Sequence, residues 1–181
     1  PAIGELKRRM LLARLIMAAP RRAGLGSESI RLDQAVQLAQ ELARLVDQVE
    51  TERKDFAALD GLVPDNLAQH WQLTVNFLDI LRRAWPDILA DEGAIDPAER
   101  RNQLLDLQAR IWTAAPPKTP IIAAGSTGSI PAAADLMAVV ARLPAGAIYL
   151  PGLDRAPGDA DWAAIESDPT HPQHGLSLIH I

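Results

Sequence analysis

The chain has 181 residues, 48% of them hydrophobic and only 4% aromatic, with a formal net charge of −5. That apolar content excludes a disordered chain and supports a buried core, in one large domain or two small ones. The absence of cysteine excludes disulfides, thiolate zinc sites and cysteine-held iron–sulfur clusters within these residues, and no apolar run reaches the ~18 residues of a membrane-crossing helix.

The first element is a helix predicted over residues 4–19, "GELKRRMLLARLIMAA". Leu6, Met10, Ala13 and Met17 recur as one stripe, widened by Leu11, Leu12, Leu15 and Ile16. Pro20 and Gly24 are expected to end it. This start is basic: residues 1–31 hold seven Lys and Arg against Glu5 and Glu28, whereas the remainder holds 11 basic and 21 acidic residues. Lys7, Arg8, Arg9, Arg14, Arg21 and Arg22 are therefore candidate contacts for nucleic acid or an acidic partner. A solvated helix face is the plainer alternative.

A second helix is predicted over 32–52, with Leu32, Ala35, Leu38, Ala39, Leu42, Leu45, Val46 and Val49 at helical spacing. A short helix around 53–59 follows, ended by Gly61 and Pro64. A third long helix opens at Asp65 or Asn66 as N-cap and lines Leu67, Trp71, Leu78, Leu81 and Trp85 along one face. Pro86 is expected to stop it, and residues 86–92 to form a turn or two ending at Gly93. Asp96-Pro97-Ala98-Glu99 then spells a helix start, with Asp at the N-cap, Pro first and Glu third. Leu104, Leu107, Ile111 and Ala115 are expected to be its buried stripe, with Trp112 beside it.

The run "PPKTP", 116–120, marks a boundary. Beyond it, Ile121–Ala124 reads as a strand, 131–142 as a helix opening with Pro131, Ala147–Leu150 as a second strand, and 159–166 as a short helix. A strand–helix–strand unit builds a parallel sheet, and two strands do not make a stable sheet alone. The chain also opens inside a helical pattern without an initiator Met, so it reads as a piece of something longer whose sheet is completed elsewhere. The fold class expected is α/β and mostly helical, with no internal repeat.

Gly125-Ser126-Thr127-Gly128-Ser129 lies between the first strand and the next helix, where backbone N–H groups can hold an anion. A phosphate loop of the G-x-x-x-x-G-K-[ST] type needs a lysine to reach the β and γ phosphates, and the dinucleotide fingerprint needs three spaced glycines. Neither pattern is present. A turn capped by Ser129 is the leading reading, with a nucleotide or phosphate site over Gly125–Ser129 as the alternative. Ile121–Ala124 carries no carboxylate of the kind that holds Mg²⁺ in ATPases. Asp154 follows the second strand at such a position, and as part of "PGLD" it reads first as a turn residue. His171 and His174 are three apart, but Pro169 and Pro172 deny them a helix and no third ligand is evident. His70 reads as an ordinary helix residue, and Ser126, Thr127 and Ser129 have no histidine near them in sequence to make a nucleophile. Trp71, Trp85 and Trp112 read as core residues rather than base-stacking platforms. No catalytic or metal-ligating residue is assigned.

Extended stretches carry a family resemblance. "LAQELARLVDQVETE" (38–52), "HWQLTVNFLDILRRAWPDILADEG" (70–93), "DPAERRNQLL" (96–105), "IIAAGSTGSIPAAADLMAVVARLPAGAIYLPGLD" (121–154) and "HPQHGL" (171–176) resemble the AddB family of double-strand-break repair proteins in its alphaproteobacterial form. The "AGSTGSIPA" and "LPGLD" stretches are the most specific. The resemblance implies part of the N-terminal half of one subunit of a cytoplasmic helicase–nuclease that resects broken DNA ends. It implies a helical insertion over 1–115, part of a RecA-like, superfamily 1 helicase-like domain over 116–170, and a C-terminal loop over 171–181. The implied partners are DNA and an AddA-like subunit that performs the ATP-driven work, with no membrane. The family's iron–sulfur cluster and Mg²⁺ belong to a nuclease domain outside this sequence, so no cofactor is implied here. Residues 177–181, "SLIHI", depart from the family and read as a non-native tail, which removes His180 from any site. Two other functions stay open: a nucleotide hydrolase using Gly125–Ser129 with Asp154, and a helical protein–protein module.

Overall fold

The computed structural model describes residues 1–23, 30–54, 78, 82–150, 158–168 and 171, the side chains of 19–23 and 159 excepted. The chain divides into two compact units, Pro1–Arg100 and Arg101–Ile181. The division falls inside a helix, upstream of the proline-rich boundary expected from sequence.

In the first unit, α1 (Glu5–Ala23) and α2 (Leu32–Thr51) pack along each other. They run antiparallel, since Arg8 near the start of α1 meets Ala43 and Asp47 in the second half of α2. Ala35 and Ala39 of α2 are wholly buried, and their small side chains let the two backbones approach closely. Leu12, Leu15 and Ile16 of α1 join Leu42 and Val46 of α2 in one core, with Ile3, Leu78, Trp85 and Leu89.

The buried stripe of α1 is not the expected one. Leu6, Met10 and Met17 are exposed, and Ala13 alone of that set is buried. The residues thought to widen the stripe are its centre, together with Arg8. A charged residue in the buried row hid the true register from a reading that counts only apolar positions. On α2, Leu32 and Leu38 are likewise exposed.

Neither proline ends its helix. α1 continues through Pro20 to Ala23, and residues 82–91, here α3, form one helical run through Pro86. Proline costs a helix one N–H and a clash with the preceding turn; in α3 the burial of Trp85 and Leu89 on either side of Pro86 offsets that cost. α3 does stop where glycine was expected to stop it. Gly93 has φ +59°, its N–H bonds to the Ala90 carbonyl at 3.0 Å, and the Ala94 N–H bonds to the Leu89 carbonyl at 3.0 Å. That pair of bonds closes the helix with a left-handed residue at its end. α2 closes the same way, but there the left-handed residue is Arg53, at φ +52°. Its N–H reaches the Glu50 carbonyl at 3.1 Å, and the Lys54 N–H reaches that of Val49 at 3.0 Å.

α4 (Pro97–Ala114) begins at the predicted proline. Residues 1–3 run beside the turn that precedes it: the Ile3 N–H bonds to the Ile95 carbonyl at 3.0 Å and the Ile95 N–H to that of Pro1 at 3.1 Å. Further along α4, the expected buried stripe is again exposed, at Leu104, Leu107, Ile111 and Ala115, while Trp112 is half-buried.

The second unit holds β1 (Ile121–Ala124), α5 (Pro131–Arg142), β2 (Gly146–Tyr149) and α6 (Asp159–Ser167). β1 and β2 pair in parallel with Ile121 opposite Gly146 and Ala124 opposite Tyr149, so β2 starts one residue earlier than expected. Ala132, Met137, Val140 and Leu143 are buried, and α5 packs on both strands. Paired residues of parallel strands share a face. Ile122, Ala124 and Tyr149 lie on the same face and are all exposed, whereas parallel sheets are ordinarily covered on both sides. The mostly helical α/β class holds, with a two-stranded parallel sheet.

Candidate functional site

The loop Gly125–Ser129 needs its glycines for conformation. Gly125 has φ +77° and Gly128 φ +65°, a region that residues with a Cβ enter only at a cost. Two of the loop's N–H donors already have partners within the protein. The Gly125 N–H continues the ladder to the Tyr149 carbonyl at 3.2 Å, and the Gly128 N–H bonds to the Ser126 hydroxyl oxygen at 3.3 Å. Gly128 is buried, Ser126 half-buried, and Thr127 and Ser129 exposed.

Ser129 does not cap α5. The N-cap residue is Ile130, without a side-chain cap bond, followed by Pro131. Its carbonyl accepts from both Ala133 and Ala134, each at 2.9 Å. A proline at the first helical position supplies no N–H, so this helix start offers an anion one donor fewer than most. Asp154 lies outside the described residues.

The basic residues of α1 do not form one surface. Lys7 pairs with Glu92, and Arg9 pairs with Glu5 one turn before it at 2.6 Å. Arg14 is exposed. The side chains of Arg21 and Arg22 lie outside the described residues. Arg8 is 4% exposed and faces the opposite way, into the first unit. Its Nε lies 2.7 Å from Asp96 Oδ1, its Nη1 2.9 Å from Asp47 Oδ1, and its Nη2 donates to the Ala43 carbonyl at 3.3 Å. The two carboxylate contacts are close in distance but poorly aligned for hydrogen bonding, so the pairing is mainly Coulombic. Arg8 is thereby corrected from a candidate phosphate contact to an interior structural cation.

Asp96 completes this junction. It is 2% exposed, stands immediately before α4, and accepts from the Trp85 indole N–H at 2.6 Å. Four helices thus meet on one guanidinium and one carboxylate. Burial pushes the Asp96 carboxyl above its ordinary value, against the Trp85 N–H and Arg8, which pull it down. Glu50, one turn beyond Asp47, is also raised, first by burial and then by the negative charges of Glu99 and Asp96. Sequence reasoning found Asp96 as a helix start and Trp85 as core, but no spacing rule links either to Arg8, more than 70 residues earlier in the chain.

His171 is half-buried, and its N–H bonds to the Asp168 carbonyl at 3.0 Å. His70, Trp71 and His174 lie outside the described residues. Among the described residues, no three His, Asp or Glu side chains cluster as a metal site, and no helix is long and apolar enough to cross a membrane. Comparison of the chain with family models, with characterised proteins and with solved structures finds no match.

Proposed function

We propose that this chain is a non-catalytic, helicase-like portion of a cytoplasmic DNA double-strand-break repair subunit of the AddB type. In this reading it contacts DNA and an AddA-like partner while broken ends are resected. The helical first unit corresponds to an insertion, and β1–α5–β2 to part of a RecA-like layer. The observation that carries the reading is the Gly125–Ser129 loop. It keeps the strand–glycine–helix layout of a nucleotide site but has no lysine in sequence, spends two N–H groups internally, and leads into a helix opening with proline. The family-like stretches at 38–52, 70–93 and 121–154 support the reading.

The test is duplex-end binding by the full chain across a salt series, with Lys7, Arg9 and Arg14 changed together to Ala. Loss of affinity with a salt slope shallower by roughly one unit per phosphate contact is expected. Unchanged affinity and slope remove α1 from the DNA contact. A fluorescent ATP analogue with Mg²⁺ supplies the second arm. Micromolar, saturable binding that disappears on changing Gly125 or Gly128 overturns the non-catalytic reading in favour of a nucleotide hydrolase.

A further inference from the structure

Arg14 stands on the outer surface of α1 between two methionines. Met10 precedes it by four residues and Met17 follows it by three, so each lies one helical turn from it on the same face. Met10 is 59% exposed and Met17 43%. The third methionine, Met137 on α5, is 4% exposed and lies in the core of the second unit. Lys7 and Arg9 are each held by a glutamate. Arg14 is exposed, and among the described residues no carboxylate pairs with it.

We infer that Met10 and Met17 form a modification site for peroxide, oxidised to sulfoxides in the folded protein, with Arg14 holding the new oxygens. A thioether lone pair attacks one oxygen of the peroxide and the O–O bond breaks. Sulfur is oxidised by two electrons, and the other oxygen of hydrogen peroxide leaves as water. The step needs only access to sulfur, which Met10 and Met17 offer and Met137 does not.

A thioether is a weak hydrogen-bond acceptor, whereas a sulfoxide oxygen carries partial negative charge and accepts strongly. The Arg14 guanidinium has five donors, enough for both oxygens, and its charge strengthens each bond. No carboxylate has to be displaced from it first. Oxidation thus turns an apolar surface, continued by Leu6 one turn before Met10, into a polar one and engages the cation at its centre. The inference goes beyond the DNA-contact reading and does not depend on it.

The test is a time course of the full chain in hydrogen peroxide at neutral pH, mapped by mass spectrometry of proteolytic peptides. Met10 and Met17 should each gain one oxygen at a rate close to that of a free methionine peptide. Met137 should react at least about tenfold more slowly, because its sulfur is reached only when the second unit opens. In urea that unfolds the chain, the three rates should converge. Native rates that are equal at all three positions overturn the inference.

The part played by Arg14 is read from the melting temperature. Oxidation should lower it by a few degrees in the parent and by clearly more in Arg14→Ala, which has lost the donors. Met10→Leu with Met17→Leu should show no drop at the same peroxide dose. An equal drop in the parent and in Arg14→Ala overturns the role of Arg14, and a drop that persists in the double leucine variant overturns the site.

Discussion

Arg8 Nε lies 2.7 Å from Asp96 Oδ1, with both side chains sealed from solvent, so the start of the first helix is tied to the start of the fourth. Removing one member of such a pair leaves a buried charge without a partner. Arg8→Ala should therefore cost about 3–5 kcal/mol in urea unfolding followed by tryptophan fluorescence. Arg8→Met with Asp96→Asn should recover part of the loss, because the asparagine oxygen still accepts from Trp85 and only the partly exposed Asp47 carboxylate is left without its cation. An Arg8→Ala variant as stable as the parent would show that the pair is not what joins these helices.

The carboxylates around Arg8 predict the sign of a pH effect. The Glu50 carboxyl is raised above its ordinary value of 4.5 by burial and by Glu99 and Asp96. The folded state then holds this proton to higher pH than the unfolded chain does. Its contribution to stability is fully present below 4.5 and is lost as pH rises through the raised folded value. Glu50→Gln should raise the melting temperature at neutral pH, change it little at pH 4, and flatten the profile between. A parallel profile would refute the assignment.

Gly146 opens β2 beneath the end of α5. A Cβ there would sit 1.8 Å from the Val140 carbonyl oxygen, a backbone atom that cannot step aside. Gly146→Ala should destabilise the strand–helix–strand unit by about 1–3 kcal/mol or more. Hydrogen exchange at the β1 and β2 amides reads this directly, and protection equal to the parent's would contradict it.

Arg53 holds a left-handed conformation that glycine adopts without strain. Arg53→Gly should be more stable than Arg53→Ala by about 1 kcal/mol in thermal melts, since both lose the arginine side chain and only alanine keeps the strain. Equal stabilities would mean that the closure of α2 relaxes when the side chain is cut.

Much of the element order was legible because it rests on local chemistry. Apolar runs and glycines placed β1 at Ile121–Ala124, Pro131 opened α5, and Gly93 closed α3. The same punctuation misled at Pro20 and Pro86, which both lie inside helices, and at Pro86 the burial of Trp85 and Leu89 outweighed the local penalty. It misled again at Ser129, where the cap position fell one residue later.

Amphipathic spacing by itself determined that α1, α2 and α4 are helices, because periodicity is a property of neighbours along the chain. Which face of each turns inward was decided only in three dimensions. Leu6, Met10 and Leu104 show the same spacing as a core stripe and yet lie in solvent, while charged Arg8 lies inside. A guanidinium is buried here because carboxylates from other elements, Asp47 and Asp96, arrive to hold its charge while Asp96 also accepts from the Trp85 indole, and no stretch of sequence records that meeting.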